Sequence, residues 1–377
     1  MSITIAITGQ ALIHQPLNLD CADAAEMLDF LKADATIGNF EGVIDAPGAW
    51  PTKTKTVHAV KEPVLASLAA LGFSAMAHAN NHAFDLGPPG IAATHAAMQR
   101  HNILLAGSGQ NLAEAARPVE WSTHSKNLAL FSVDLGPQAD IVYAGLHRAG
   151  IAPLRVRRST VLPDADYARL LAIHEETGDA ARLAARRRAQ YSPEATEGFD
   201  AFGGSFVRGD RVEGRWTVDP EDLSRLVTAL GDAKRRGNIV LLALHNHHWD
   251  SDWATSPGWL DGLSRHLVDA GADVIIGTGA PVMQPLSLHR NRAIMPGLGN
   301  LIFHTARAEL YDAMGIDVWR SVAVRLTLDD DGAVENIAIL PLAACRLNSD
   351  GRPPALLKGA DAEDIVARFM PGNPAPR

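Results

Sequence analysis

The stretch Ala77-His78-Ala79-Asn80-Asn81-His82-Ala83-Phe84-Asp85-Leu86-Gly87 follows the short apolar run Ala75–Ala77 and precedes an amphipathic segment, Gly90–Arg100. The run predicts a buried strand and the segment a helix, with the polar cluster at the junction between them. Working outward, the same arrangement recurs. Gly9-Gln10 follows Ile3–Thr8, and Gly38-Asn39-Phe40-Glu41-Gly42 follows Ala35–Ile37. His245-Asn246-His247-His248-Trp249-Asp250 follows Ile239–Leu244. Strands are also predicted at Leu128–Val133 and Asp273–Ile276, and helices at Ala22–Lys32, Val60–Leu71, Pro220–Arg236 and Trp259–Ala270. Arg292–Met295, Leu301–Phe303, Val318–Leu328 and Val334–Leu340 complete the strands. Asp329-Asp330-Asp331-Gly332 between the last two is a hairpin turn. Parallel-type units followed by antiparallel ones predict an α/β sandwich of two sheets rather than one doubly wound sheet.

The rhythm breaks between Gln138 and Thr217. There a basic stretch, Leu154-Arg155-Val156-Arg157-Arg158, precedes a long polar helix, Asp164–Tyr191, with Arg182, Arg186, Arg187 and Arg188, and then the glycine-rich Phe199 to Gly209. Residues 138–217 are therefore expected to form an inserted lid within a domain of residues 1–345, with 346–377 as a C-terminal extension frayed from Pro371 onward. The arginines read first as a solvated helix face and second as an anion-binding or dimer surface.

Of 377 residues, 47% are hydrophobic and the formal net charge is -9. A buried core is feasible, and nucleic acid or an anionic membrane is disfavoured as a partner. The two cysteines, Cys21 and Cys345, form neither a disulfide framework nor a metal pair. No apolar run reaches the roughly 18 residues of a membrane span, and Met1–Gln10 lacks a leader pattern. The expectation is a cytoplasmic protein acting on a small molecule, with a homo-oligomer left open.

Histidines, carboxylates and carboxamides gathered from separate strand ends suit either a metal site or acid–base chemistry. A single histidine is usually structural, but three among His245–His248 are harder to dismiss. Asp85, three residues after His82, is expected to orient that ring or cap the next helix. Trp249, Trp253 and Trp259 suit an aromatic pocket or the core equally well.

Asn39-Phe40-Glu41, the Ala79-Asn80-Asn81-His82-x-x-Asp85-x-Gly87 block, Gly107-Ser108-Gly109 and Leu244-His245-Asn246-His247 resemble, in order and spacing, the CapA-like capsule-synthesis proteins. So do Asp269–Gly277, Gly297–Phe303 and Gly150–Val156, so that the resemblance covers roughly residues 1–345. It implies a calcineurin-type metallophosphoesterase fold, a four-layer α/β sandwich of two mixed sheets, and a divalent metal centre. Glu41, Asn81, His82, His245 and His247 match the family pattern. Gln10 stands where an aspartate is expected, and Gly279 and Pro281 where two histidines are. A carboxamide supplies only a neutral oxygen, and glycine and proline supply no side-chain donor. A two-metal clamp needs ligands for both ions.

The expected function is therefore an enzyme running metal-independent acid–base chemistry on a small organic substrate, a lyase or an isomerase/epimerase without cofactor. His82 and His245 are the candidate proton carriers, and Glu41 a base or an orienting group. Gln10, Asn39, Asn81, His247 and Thr278 would bind substrate, and Arg155 (or Arg158) would hold an anionic group. The first alternative is a mononuclear hydrolase of an amide or ester, with one zinc, manganese or iron ion on Glu41, His82 and His245. The second is a non-catalytic ligand-binding module.

Overall fold

The computed structural model describes residues 2–54, 56–137, 140–191, 197–347 and 350–371. Most of the expected frayed tail and the expected boundary at Gln138 lie outside them. The described chain divides into two compact units, Met1–Leu154 with Glu221–Arg377, and Arg155–Pro220.

The first unit is α/β with two mixed sheets. In one, Leu104–Ala106, Ala75–Ala77, Ala35–Phe40 and Ile3–Leu12 run parallel, and Arg320–Leu328, Val334–Ala343 and Ala355–Leu356 continue it antiparallel. In the other, Asn127–Asp134, Asn238–His245, Val274–Thr278 and Arg292–Met295 run parallel, with antiparallel edges at Val119–Ser122 and Ser287–His289. Side chains alternate across each sheet. Ile3, Ile5, Ile7 and Ile37 of the first sheet share one cluster with Leu128, Leu130, Leu241 and Ile276 of the second. Ala6 and Met76 point the other way, onto Met27, Leu65, Leu68 and Met98 of the helices Ala22–Leu31, Val64–Ala70 and Gly87–Arg100. Beyond the second sheet, Pro220–Arg235 and Gly258–Asp269 bury Leu226, Leu230, Leu260 and Leu267. Strand runs that are apolar on every residue are thus explained, since both faces of both sheets are covered.

Two helices differ from expectation. The helix foreseen from Val60 begins at Val64, because Pro63 cannot sit inside a helix but can start one, while Ala59–Val60 pairs with Val43–Ile44. In the second unit the helix foreseen over Asp164–Tyr191 is two, Asp164–Glu176 and Asp179–Arg188. Gly178 breaks it with φ +78, a left-handed conformation that ends a helix at little cost in glycine. That unit also carries a four-stranded sheet of Phe199–Ala201, Gly204–Arg208, Val156–Leu162 and Glu213–Val218. The basic stretch is therefore mostly strand, and the glycine-rich stretch a hairpin.

Asp273 ties several elements of the first unit together. Fully buried, it accepts both from Lys234 Nζ (2.8 and 2.7 Å) and from Val240 N (2.8 Å), and pairs with Arg292 Nε at 3.1 Å. Lys234 also donates to Asp331 O in the hairpin turn. A Cβ at Gly332 in that turn would lie 2.5 Å from the Asp273 carboxyl, so only glycine permits this approach.

Candidate functional site

A cavity of about 380 Å³ opens where the parallel strands end. Its wall includes Gln10, Glu41, Asn81, His82 and His247, residues drawn from all four polar clusters. Asn39, His245 and Thr278 are buried but are not in the lining.

His82 is held from behind. Its Nδ1 is 2.8 Å from Asp85 Oδ2 and 3.1 Å from Lys53 Nζ. Lys53 is itself paired with Asp85 at 2.5 Å, both side chains nearly fully buried, and donates to Asn81 O at 2.9 Å. A carboxylate only accepts, so the shorter contact puts the ring proton on Nδ1 and leaves Nε2 as a lone pair. That lone pair faces Glu41 Oε1 at 4.0 Å. Asp85 also receives His58 N at 2.7 Å, which fixes the segment carrying His58 beside the His82 ring.

Glu41 is buried with Oε2 unpartnered, and burial pushes its carboxyl up to about 8 against a partial opposing pull from Lys53. It is an acid at neutral pH. Because its folded value lies above the unfolded 4.5, the native state holds a proton that the unfolded chain has lost. Stability contributed by this group is present below 4.5 and is lost as pH rises toward 8, with a slope approaching about 1.4 kcal/mol per pH unit. Glu41→Gln removes the titration. Urea unfolding at pH 5 and pH 8 is expected to show the variant gaining on the wild type at the higher pH, and equal gaps at both would contradict the assignment.

His245 sits on a second small network. Nδ1 lies 3.0 Å from Thr278 Oγ1, and Nε2 lies 3.0 Å from Asn81 Oδ1 and 2.9 Å from His247 Nε2. Burial, then the neighbouring His247 and His82, hold its pKa well below the usual histidine value. Asn39 accepts weakly from Asn80 (3.4 Å) and keeps Nδ2 buried and unpartnered. Trp249 and Trp253, packed at 4.5 Å, line the cavity, whereas Trp259 meets His248 edge-on. A histidine seam leads away from the pocket. His58 Nδ1 is 3.0 Å from His14 Nε2, His14 N donates to His304 Nδ1, and His304 Nε2 is 3.1 Å from Cys345 Sγ. Burial lowers His58 to about 2 and His304 to about 4, so these rings are neutral near pH 7.

The donor set does not fit a two-metal centre. The Gln10 oxygen already accepts from Gly279 N at 3.0 Å. Gly279 has φ +100, and a Cβ there would lie 2.4 Å from Asn246 O, leaving no room for a ligand side chain. For the alternative single-ion set, both nitrogens of His245 already have polar neighbours within the protein, whereas His82, its Nδ1 held by Asp85, keeps Nε2 oriented as a ligand would be.

Arg155 lies in the second unit, 3.5 Å from Asp219 Oδ2. Arg307 and Tyr311 are among the lining groups that the sequence reading did not name. Arg307 follows the strand Asn300–Phe303, and Tyr311 lies one turn further on. The strand-end rule applied to His304-Thr305-Ala306-Arg307 would have found the arginine.

The model of the family described as "Bacterial capsule synthesis protein PGA_cap" matches residues 4–305. The chain belongs to this capsule-synthesis family. Among relatives, an uncharacterized protein of Sinorhizobium fredii is 25% identical over 332 residues, 83% of this chain and 70% of that protein. The capsule biosynthesis protein CapA of Bacillus anthracis is 22% identical over 346 residues, covering 90% and 64%. The PGA biosynthesis protein CapA of Bacillus subtilis is 23% identical over 278 residues, and the chain spans about half its length (54%). Among solved structures, a 5'-nucleotidase precursor from Thermus thermophilus matches 97% of this chain and 58% of its own at TM-score 0.39 and 11% identity. Among the described residues of this family member, no helix is long and apolar enough to cross a membrane.

Proposed function

We propose that this capsule-synthesis family member is an enzyme whose pocket moves protons on a small organic substrate, as a lyase or isomerase, without a metal centre. The observation that carries the reading is the pair facing across the cavity wall, the His82 Nε2 lone pair and the protonated Glu41 carboxyl at 4.0 Å. A base and a neutral acid held side by side are what a proton-abstraction and return cycle uses. Asp85 and Lys53 position the His82 ring. Asn81 and His247 contact substrate oxygens, and His245, gripped by Thr278, positions both. Gln10 forms part of the wall, and Asn39 backs it.

In the forward step His82 Nε2 takes a proton from substrate carbon, and the resulting imidazolium is stabilised by Asp85. Glu41 donates its proton to the developing oxyanion or leaving group. Burial of His82 and Glu41 limits the water around the intermediate.

The test is turnover before and after chelation, with elemental analysis, on protein purified without a metal-affinity tag. Unchanged turnover and no stoichiometric metal are expected. Stoichiometric zinc, manganese or iron with activity lost on chelation would establish the hydrolase alternative instead. Saturable binding without turnover would leave a binding module.

A further inference from the structure

The ionisable inventory of the pocket wall is lopsided. Among its described lining residues Glu41 is the one carboxyl and Arg307 the one arginine or lysine. Glu41 is held in its neutral form at pH 7. The Lys53 and Asp85 charges behind the wall are paired with each other. Arg307 makes a hydrogen bond to Thr56 Oγ1 at 2.8 Å and has no ion pair to a carboxylate among the described residues. A guanidinium fixed at a pocket rim, without a counter-charge in the wall, lowers the potential energy of an anion there.

The rest of the wall says what the anion is attached to. Leu12, Pro281, Phe303, Trp249 and Trp253 present apolar and aromatic surface. Phe303 and Tyr311 pack at 5.6 Å, which keeps that side rigid. A volume of about 380 Å³ is near the lower end of small-molecule pockets, roughly 300–1,000 Å³. It has room for a compact molecule.

Building on the acid–base reading, we infer that the pocket takes a small monocarboxylic acid with an apolar body, its carboxylate on Arg307 and its reacting carbon between His82 and Glu41. Arg307 then does for this site what Arg155 was expected to do. A planar fork donating two hydrogen bonds fixes both the distance and the rotation of a carboxylate, so the residue sets specificity as well as affinity. The apolar body replaces water along the tryptophan wall.

The experiment is calorimetric titration of the full chain with three acids, hexanoate, benzoate and phenylacetate, each beside its uncharged amide. At least one acid is expected to bind ten times or more tightly than its amide. Arg307→Gln should erase that preference and Arg307→Lys keep part of it, because lysine retains the charge but not the fork. His82→Asn should leave the preference intact. No binding by any acid, equal binding of acids and amides, or a preference that survives Arg307→Gln overturns the inference. Preference through Arg307 with no exchange of the α-hydrogens of hexanoate or phenylacetate for deuterium in heavy water would sink the acid–base reading while the inference stands.

Discussion

Replacing Asp273 by alanine is expected to destabilise the protein by about 3–5 kcal/mol. The carboxylate is fully buried and accepts from Lys234 Nζ and Val240 N while pairing with Arg292. Truncation would leave Arg292, mostly buried, and the partly exposed Lys234 without their counter-charge and Val240 N without its acceptor. Breaking one side of such a cluster costs far more than the cluster's net worth, because an uncompensated buried charge remains. The loss should register in urea unfolding as a lower midpoint with an unchanged slope. Asp273→Asn, which keeps an acceptor oxygen, should lose less. A cost below about 1 kcal/mol for the alanine variant would mean that water reaches the site and that the cluster behaves as a surface one.

The second large effect is expected at His82. His82→Asn keeps approximate size and polarity but has no nitrogen lone pair to act as a base. Turnover is expected to fall by about 10²–10⁴-fold, the usual contribution of a positioned general base, with little change in acid binding. Asp85→Asn should lower turnover less and shift the acidic limb of its pH profile, since the imidazolium would lose its stabilising charge. Retention of full turnover by His82→Asn would remove the ring from the chemistry and leave it a structural partner of Asp85.

The site-forming strands were legible because each is a continuous apolar run ending abruptly in polar residues. That signature reflects two covered sheet faces and an open strand end. Ile3–Leu12 and Asn238–His245 needed only extension by a few residues. Glu41, Asn81, His82 and His247 reached one wall because they follow such strands directly. What sequence could not separate was lining from backing. His245 and His247 differ by two residues, yet one is locked behind the wall and the other is in it. Lys53 was invisible for another reason. It comes from a segment without regular structure, and only tertiary packing brings it to Asp85. Arg155 drew notice because it begins a basic run, and it pairs with Asp219 within the second unit.

The left-handed backbone at Gly279 bears on how this family member could be re-engineered. Placing a histidine there would demand more than a side-chain swap, since its Cβ would run into the Asn246 carbonyl and its φ into a region disfavoured for anything but glycine. The neighbouring amide is also committed to Gln10. Installing a histidine ligand at this position would have to rebuild the surrounding backbone and the Gln10 contact together, so a single substitution toward it should be a loss.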